Sequence, residues 1–143
     1  METMTYKYQS YIDALLLEGC AMPELYMPDG KESYRFIFLN DETRNHLPVC
    51  IMNPKRQLPG SQKLAGYSLS CFADGDKAEE KYRTLQRSFK LISTAIGDGL
   101  AKGNLCNEDG AITKENEQTS HFELFEYTTC NLNKTFTLEK KLI

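Results

Sequence analysis

The clearest pattern in the chain is a helical repeat of apolar positions in its middle. Apolar side chains recur every three or four residues and fall on one side of a helix at Ala78, Tyr82, Leu85, Phe89, Ile92 and Ile96. Asp76 is the predicted N-cap, with Glu79 three residues later, and Gly97 or Gly99 is the predicted helix end. The pattern therefore predicts one long amphipathic helix over residues 77–96.

Shorter runs before this helix predict strands. A Pro-Asp-Gly turn at residues 28–30 precedes a run rich in aromatic and β-branched residues at 34–39. A second apolar run covers residues 47–52, and apolar residues alternate with serines within 64–72. We interpret all three runs as strands.

The part of the chain after the helix also has strand patterns. An Asp-Gly turn within residues 107–110 predicts a hairpin between residues 104–106 and 111–113. Residues 121–127 and 135–139 are predicted to be two further strands joined by a turn.

A short helix near the N-terminus completes the prediction. Ser10 is a suitable N-cap, Ile12 and Leu15 have helical spacing, and Gly19 is a suitable end. Together the elements predict an α+β fold in a single domain over residues 1–143. Its mostly antiparallel sheet is a meander plus C-terminal strands, with the long amphipathic helix packed on one face. The connections are too short for repeated βαβ crossovers, which disfavours a doubly wound nucleotide-binding fold.

Composition narrows the class of protein without indicating a reaction. The 143 residues are 41% hydrophobic and 26% charged, as in folded globular domains. A net charge of −3 argues against a protein built for nonspecific binding to nucleic acid or anionic membranes. With no signal peptide and no membrane-spanning run in the sequence, the expected location is cytoplasmic. The five cysteines are widely spaced and expected to be reduced, and we expect neither a metal nor a cofactor.

The charge is unevenly distributed, and the middle of the chain is basic. Residues 53–102 carry nine Lys and Arg against five Asp and Glu. Six of these cations are candidates for binding a phosphate ligand or nucleic acid: Lys55, Arg56 and Lys63 in the 53–63 loop, and Arg83, Arg87 and Lys90 on the outer side of the predicted helix. Glu79 and Glu80 lie one turn before Arg83, so the same cations also fit an ordinary solvated face.

His121 and Glu123 are the candidates for acid–base chemistry. They are two residues apart in a predicted strand and therefore project from the same face. A zinc site needs about three protein ligands, and the only other histidine, His46, lies in a distant turn. The alternative for His121 is a partly buried structural histidine.

Tyrosine and methionine are concentrated near the N-terminus, where they favour a contact surface for a partner. Both residue types are frequent in protein interfaces, because they combine a large contact area with a polar or polarizable group. The candidates are Tyr6, Tyr8, Tyr11, Met22, Tyr26 and Met27. The alternative is that these side chains cover the sheet.

These residues support three functional hypotheses. The leading one is a small cytosolic binding or regulatory protein that has no catalysis of its own and acts through a protein partner or by self-association. The second is a module that binds nucleic acid or a phosphate ligand through the six cations. The third is a small hydrolase or transferase that uses His121 and Glu123. Membrane binding is not expected under any of them.

Overall fold

The core of the protein is a sheet assembled from the β-rich runs. Within residues 4–143, which the computed structural model describes, six strands form this sheet. They are β1 (Lys31–Ile37), β2 (Leu69–Phe72), β3 (Gly99–Leu105), β4 (Gly110–Ile112), β5 (His121–Glu126) and β6 (Thr137–Lys141). Neighbouring strands are antiparallel, in the order β4-β5-β2-β1-β3-β6. The α+β class and the mostly antiparallel sheet are therefore confirmed.

Helices and helical turns fill the connections between strands. The α-helices of the described chain are α1 (Gln9–Leu17), α2 (Val49–Met52), α3 (Gly75–Ser88), α4 (Ile92–Ala95) and α5 (Leu132–Thr135). Short 3₁₀ turns occur at Glu42–Arg44, Gly60–Gln62 and Leu64–Tyr67. The predicted N-terminal helix corresponds to α1. Over residues 4–143, every helix is too short or too polar to cross a lipid bilayer.

The helix α3 packs on one face of the sheet, as its apolar stripe predicts. Ala78 and Tyr82 are fully buried in a cluster with Phe72 and Leu100. The Tyr82 hydroxyl donates a hydrogen bond of 2.8 Å to the carbonyl oxygen of Gly97. This bond ties the helix to the segment that leads into β3.

The predicted 77–96 helix is not continuous, because α3 ends at Ser88 and a separate short helix, α4, covers Ile92–Ala95. Phe89 follows α3 and has an extended backbone with φ −144° and ψ 103°. Phe89 is 49% exposed, whereas Ile92 and Ile96 pack in the same cluster as Tyr82. The break turns the chain back toward β3 and keeps these two isoleucines on the sheet. This packing outweighs the local preference of the segment for a continuous helix.

The opposite face of the sheet carries a larger apolar cluster. Its buried members are Leu69, Cys71, Ala101, Leu105, Ile112, Phe122, Leu124, Cys130, Leu132 and Phe136. This core combines side chains of β2 and β3, which flank β1, with side chains of β4, β5 and α5. Leu105 at the end of β3 and Ile112 in β4 meet in this cluster although their strands are separated in the sheet order. The cluster therefore extends across most of the sheet on this face.

The predicted hairpin around residues 107–110 is wrong. A tight turn does join the strands, because the Asp109 N–H donates to the Cys106 carbonyl at 3.0 Å. However, β4 pairs with β5, and β3 pairs with β1 and β6. Three other strands, β5, β2 and β1, lie between β4 and β3 in the sheet order. Consecutive strands are neighbours only at β1–β2 and β4–β5 within the described residues.

Of the strands predicted in the first half of the chain, the one at residues 47–52 is wrong and the one at residues 64–72 is too long. Residues 49–52 form α2, with Pro48 at its N-cap, where the missing N–H of proline costs nothing. Leu64–Tyr67 is a 3₁₀ turn, so β2 begins only at Leu69. Short apolar runs do not distinguish strand from helix by pattern alone, and packing decides between them.

The C-terminal strands differ from the prediction in their connection. The expected turn contains α5, and β6 pairs with β3 instead of β5. At the other end of the chain, α1 packs Ile12 against Leu64 and Phe125. The backbone N–H of Lys7 donates to Glu126 at 2.8 Å, which fastens the N-terminal segment along β5.

The start of α3 provides a test of this fold. Asp74 is the N-cap, because its carboxylate accepts from the Lys77 N–H at 3.0 Å, and Asp76 lies within the first turn. The prediction of Asp76 as the cap is thus wrong.

We expect Asp74→Ala to lower the free energy of unfolding by about 1 kcal/mol, the usual cost of losing an N-cap. Asp76→Ala is the control and should cost less, because it removes only a favourable charge near the helix dipole. Equal losses of stability in urea denaturation would contradict this assignment.

Candidate functional site

The strands β1 and β2 separate in the middle of the sheet. They are neighbours, yet their paired register consists of a single position, Tyr34 opposite Phe72. Beyond this pair the Arg35 guanidinium donates through Nη1 to the carbonyl oxygen of Ser70. A side chain therefore replaces the backbone pairing that would otherwise continue between the two strands.

Arg35 is a buried cation whose hydrogen-bond partners are neutral. The residue is 7% exposed, and its Nε–H donates to Nδ1 of His46 at 2.9 Å. The Ser70 carbonyl is its second acceptor, and the Cys71 thiol lies close enough to be influenced by its charge. Burial, the largest effect, raises the pKa of Cys71 to about 11, so this thiol is neutral as well.

His46 is held in its neutral form. Burial is the main cause that lowers its pKa to about 3, and the charges of Arg35 and Lys7 lower the pKa further. Its backbone has φ 60°, in the left-handed region, and its ring lies 5.4 Å from the ring of Phe136. A neutral imidazole can accept the hydrogen bond from Arg35 at Nδ1, whereas an imidazolium cannot.

The buried carboxylate of Glu126 is paired with another cation, Lys7. Glu126 is 4% exposed and forms an ion pair of 2.8 Å with Lys7. Lys7 also donates to the Cys130 carbonyl at 2.8 Å. The ion pairs formed by residues 4–143 do not include Arg35. Among these residues, Arg35 is thus held by hydrogen bonds to neutral groups and not by an ion pair.

Arg35 lines a cavity of about 200 Å³ whose remaining wall is mainly apolar. The apolar side chains include Phe38, Leu47, Val49, Met52 and Ile96. Arg44 also lines it, with its guanidinium carbon 3.9 Å from the centre of the Phe38 ring and Nη2 donating to the Thr94 carbonyl at 2.9 Å. Ser68, which directly precedes β2, and Ser70, which lies in β2, also line the cavity. This combination of a buried cation and an apolar cavity is the candidate site.

The structure places His121 and Glu123 beside this site on the neighbouring strand β5. His121 Nε2 lies 3.1 Å from the Ser70 Oγ. Burial, with a smaller contribution from Lys81, lowers the pKa of His121. Glu123 is half-buried, which raises its pKa, and its carboxyl group lies beside the Ser68 hydroxyl, which has the smaller, opposite effect. The two residues therefore contact different serines and do not form a pair with each other.

The six candidate cations belong to two separate environments. Arg56 and Lys63 line a cavity of about 350 Å³ with Leu15 of α1 and Tyr67 of the Leu64–Tyr67 turn, and Lys63 is 3.8 Å from Glu18. The α3 cations have other partners. Arg83 is 3.5 Å from Glu79 and donates to the Leu142 carbonyl at 2.8 Å, and Arg87 donates to the Thr84 hydroxyl at 3.4 Å. Lys55 and Lys90 are exposed. These contacts do not join the six cations into one patch.

Some of the candidate tyrosines and methionines near the N-terminus pack against other residues of the fold, and others are exposed to solvent. Tyr6 stacks on Tyr127 with ring centres 5.5 Å apart, and Met22 packs beside the Ile12 cluster. Tyr8 is half-buried, and burial raises its pKa to about 12. Tyr11 is exposed on α1 and stacks on Tyr67.

Tyr26 and Met27 are exposed in a different segment, where the backbone of Tyr26 bridges to Ile112 of β4. The exposed candidates thus come from separate segments of the chain, and the expected protein partner remains a prediction.

Sequence reasoning missed Arg35, Ser70 and the structural role of His46. One signal was present for Arg35, because a charged residue between Tyr34 and Phe36 is unusual in a run expected to be half-buried. The sequence has no comparable signal for Ser70, which is one of several serines in an alternating segment. Among residues 4–143, no group of three or more His, Cys, Asp and Glu side chains is arranged to hold a metal ion.

The depressed pKa of His46 predicts a specific acid sensitivity. The folded state keeps His46 neutral down to about pH 3, whereas in the unfolded state it binds a proton below about 6.5. Stability from this residue is therefore complete above pH 6.5 and decreases as the pH falls toward 3, by up to about 1.4 kcal/mol per pH unit.

His46→Asn isolates this contribution, because asparagine tolerates positive φ and its Oδ1 can accept from Arg35 without titrating. In urea denaturation the variant should lose less stability between pH 6.5 and pH 5 than the wild type. An identical pH dependence of the two proteins would contradict a neutral, buried His46.

Comparison with protein-family models, curated proteins and solved structures finds no match for this chain.

Proposed function

We propose that the protein binds a small organic acid, with the carboxylate at Arg35 and the apolar body of the acid in the adjoining cavity. The observation that carries this proposal is the buried guanidinium with neutral hydrogen-bond partners. Burying a cation costs free energy that neutral acceptors offset only in part. A carboxylate entering the cavity supplies the missing negative charge in a setting where charge-assisted hydrogen bonds are strong.

The size and lining of the cavity favour a compact ligand. An apolar protein cavity of about 150 Å³ is large enough to bind benzene. The cavity beside Arg35, at about 200 Å³, has room for a ring or a short branched chain with an acidic group attached. Its apolar side chains, among them Leu47, Val49 and Met52, match such a body.

Arg44 gives the site a second cation with a different role. It lies over the Phe38 ring and is tied to the Thr94 carbonyl, so its side chain is held in place at the wall of the cavity. Its positive charge raises the local concentration of anions before they reach Arg35. Both arginines therefore favour an acid over a neutral ligand of the same shape.

This proposal belongs to the class of anion binding but uses other residues than the six surface cations. Binding to nucleic acid through those cations and binding to a protein partner through the tyrosines both remain predictions. Neither requires the cavity.

Benzoate and benzamide are a suitable pair of probes, because they share one shape and differ in charge. We expect benzoate to bind with amide chemical-shift changes centred on β1 and α2, and to bind about tenfold or more tightly than benzamide. Equal affinities, or shift changes elsewhere in the protein, would contradict the proposal.

Ala95→Phe tests the location without altering the buried charge. Ala95 is exposed and lines the cavity, so a phenyl ring there should occupy the space and weaken benzoate binding by about tenfold or more. Ala14→Phe, at an exposed position on α1, is the matched control and should bind benzoate as the wild type does. Unchanged affinity in Ala95→Phe would place the ligand outside this cavity.

A further inference from the structure

The hydroxyl group of Ser70, a residue that lines the cavity, lies beside the imidazole of His121. Its side chain is exposed, and its Oγ lies 3.1 Å from Nε2 of His121. The two side chains come from adjacent strands, because β2 and β5 pair with Phe72 opposite His121 and Ser70 opposite Glu123. A nucleophile within hydrogen-bond distance of a base is the arrangement that activates a serine hydroxyl.

His121 is in the state that such a base requires. Burial lowers its pKa, so the imidazole is neutral near pH 7 and Nε2 can accept the Ser70 proton. The ring of His121 is also held in place, since it lies edge-on to Phe72 with centres 5.5 Å apart. The side-chain partner of the imidazole is Ser70, and Glu123 is not among its hydrogen-bond partners within residues 4–143, so Glu123 is not the third member of a triad.

The same serine belongs to the proposed acid-binding site. Ser70 lines the cavity, and its own carbonyl accepts a hydrogen bond from the Arg35 guanidinium. Ser70 therefore joins the serine–histidine pair to the proposed acid-binding site through its own main chain.

We propose that Ser70 and His121 hydrolyse esters whose acid portion fits the cavity beside Arg35. This inference rests on the proposed function, because the acid bound in the cavity is then the product of the reaction. It extends that function from binding to chemistry and defines the substrate class as esters of small apolar carboxylic acids.

The reaction has two steps, with water as the second reactant. In the first, Ser70 Oγ forms a bond to the ester carbonyl carbon and its proton passes to His121 Nε2. The bond between this carbon and the alcohol oxygen then breaks, and the alcohol leaves with the proton from His121. In the second, a water molecule attacks the acyl carbon and gives its proton to His121. The bond to Oγ breaks, Oγ regains the proton, and the free acid is released.

The first experiment tests the nucleophile by covalent labelling. A fluorophosphonate probe should modify Ser70, forming a phosphorus–oxygen bond with loss of fluoride, and mass spectrometry should locate the adduct. His121→Ala should slow this labelling by at least about 100-fold, the usual contribution of a general base. Ser70→Ala should abolish it, and Ser61→Ala, at an exposed serine in the Gly60–Gln62 turn, should leave it unchanged. Failure to label Ser70 in the folded wild-type protein would overturn the proposal.

The second experiment tests the substrate class and separates the two proposals. Hydrolysis of 4-nitrophenyl benzoate should be lost in Ser70→Ala and weakened in Ala95→Phe, while Ser70→Ala should still bind benzoate. If benzoate binds but Ser70→Ala hydrolyses the ester as the wild type does, ester hydrolysis at Ser70 is overturned and acid binding stands. If Ser70 is labelled but benzoate does not bind, the cavity is not the site of the acid and the assigned substrate class is overturned.

Discussion

A guanidinium group inside a protein is stable only when fixed hydrogen-bond acceptors replace the water that it has lost. Arg35 meets this constraint with the imidazole of His46 on one side and the main chain of Ser70 on the other. The first contact requires His46 to be neutral and to hold an unusual backbone conformation. The second keeps β2 attached to β1 after their ladder has ended. The middle of the sheet and the segment around His46 therefore depend on the same side chain.

The cavity follows from the separation of these two strands. Where β1 leaves β2, other polar side chains complete its backbone hydrogen bonds. The Asn45 side chain accepts from the Phe38 N–H at 2.7 Å, and Asp98 accepts from the Leu39 N–H at 2.9 Å. With the strand end satisfied in this way, the chain can turn away and place α2 over the gap. The space that remains has apolar walls and a cation at one side, which are the features on which both proposals rest.

The elements with a strong local pattern were predictable, and so was one candidate residue. The run at 34–39 overlaps β1, the run at 121–127 overlaps β5, and the helical stripe overlaps α3. Residues 47–52 show where pattern reasoning stops, because a short apolar run suits either a strand or a helical turn until its packing is known. His121 was recognisable as a chemical group, but its partner was not, since Ser70 is 51 residues away along the chain.

The sequence by itself determined the α+β class, the face by which α3 packs and the presence of a histidine on a late strand, because these depend on local periodicity and residue chemistry. Tertiary structure alone decided that β3 and β4 do not pair, that the helix breaks at Phe89 and that Arg35 is buried without a carboxylate partner among residues 4–143. These features arise from contacts between distant parts of the chain. Their free energies depend on which groups share a low-dielectric interior, and a linear pattern does not contain that information.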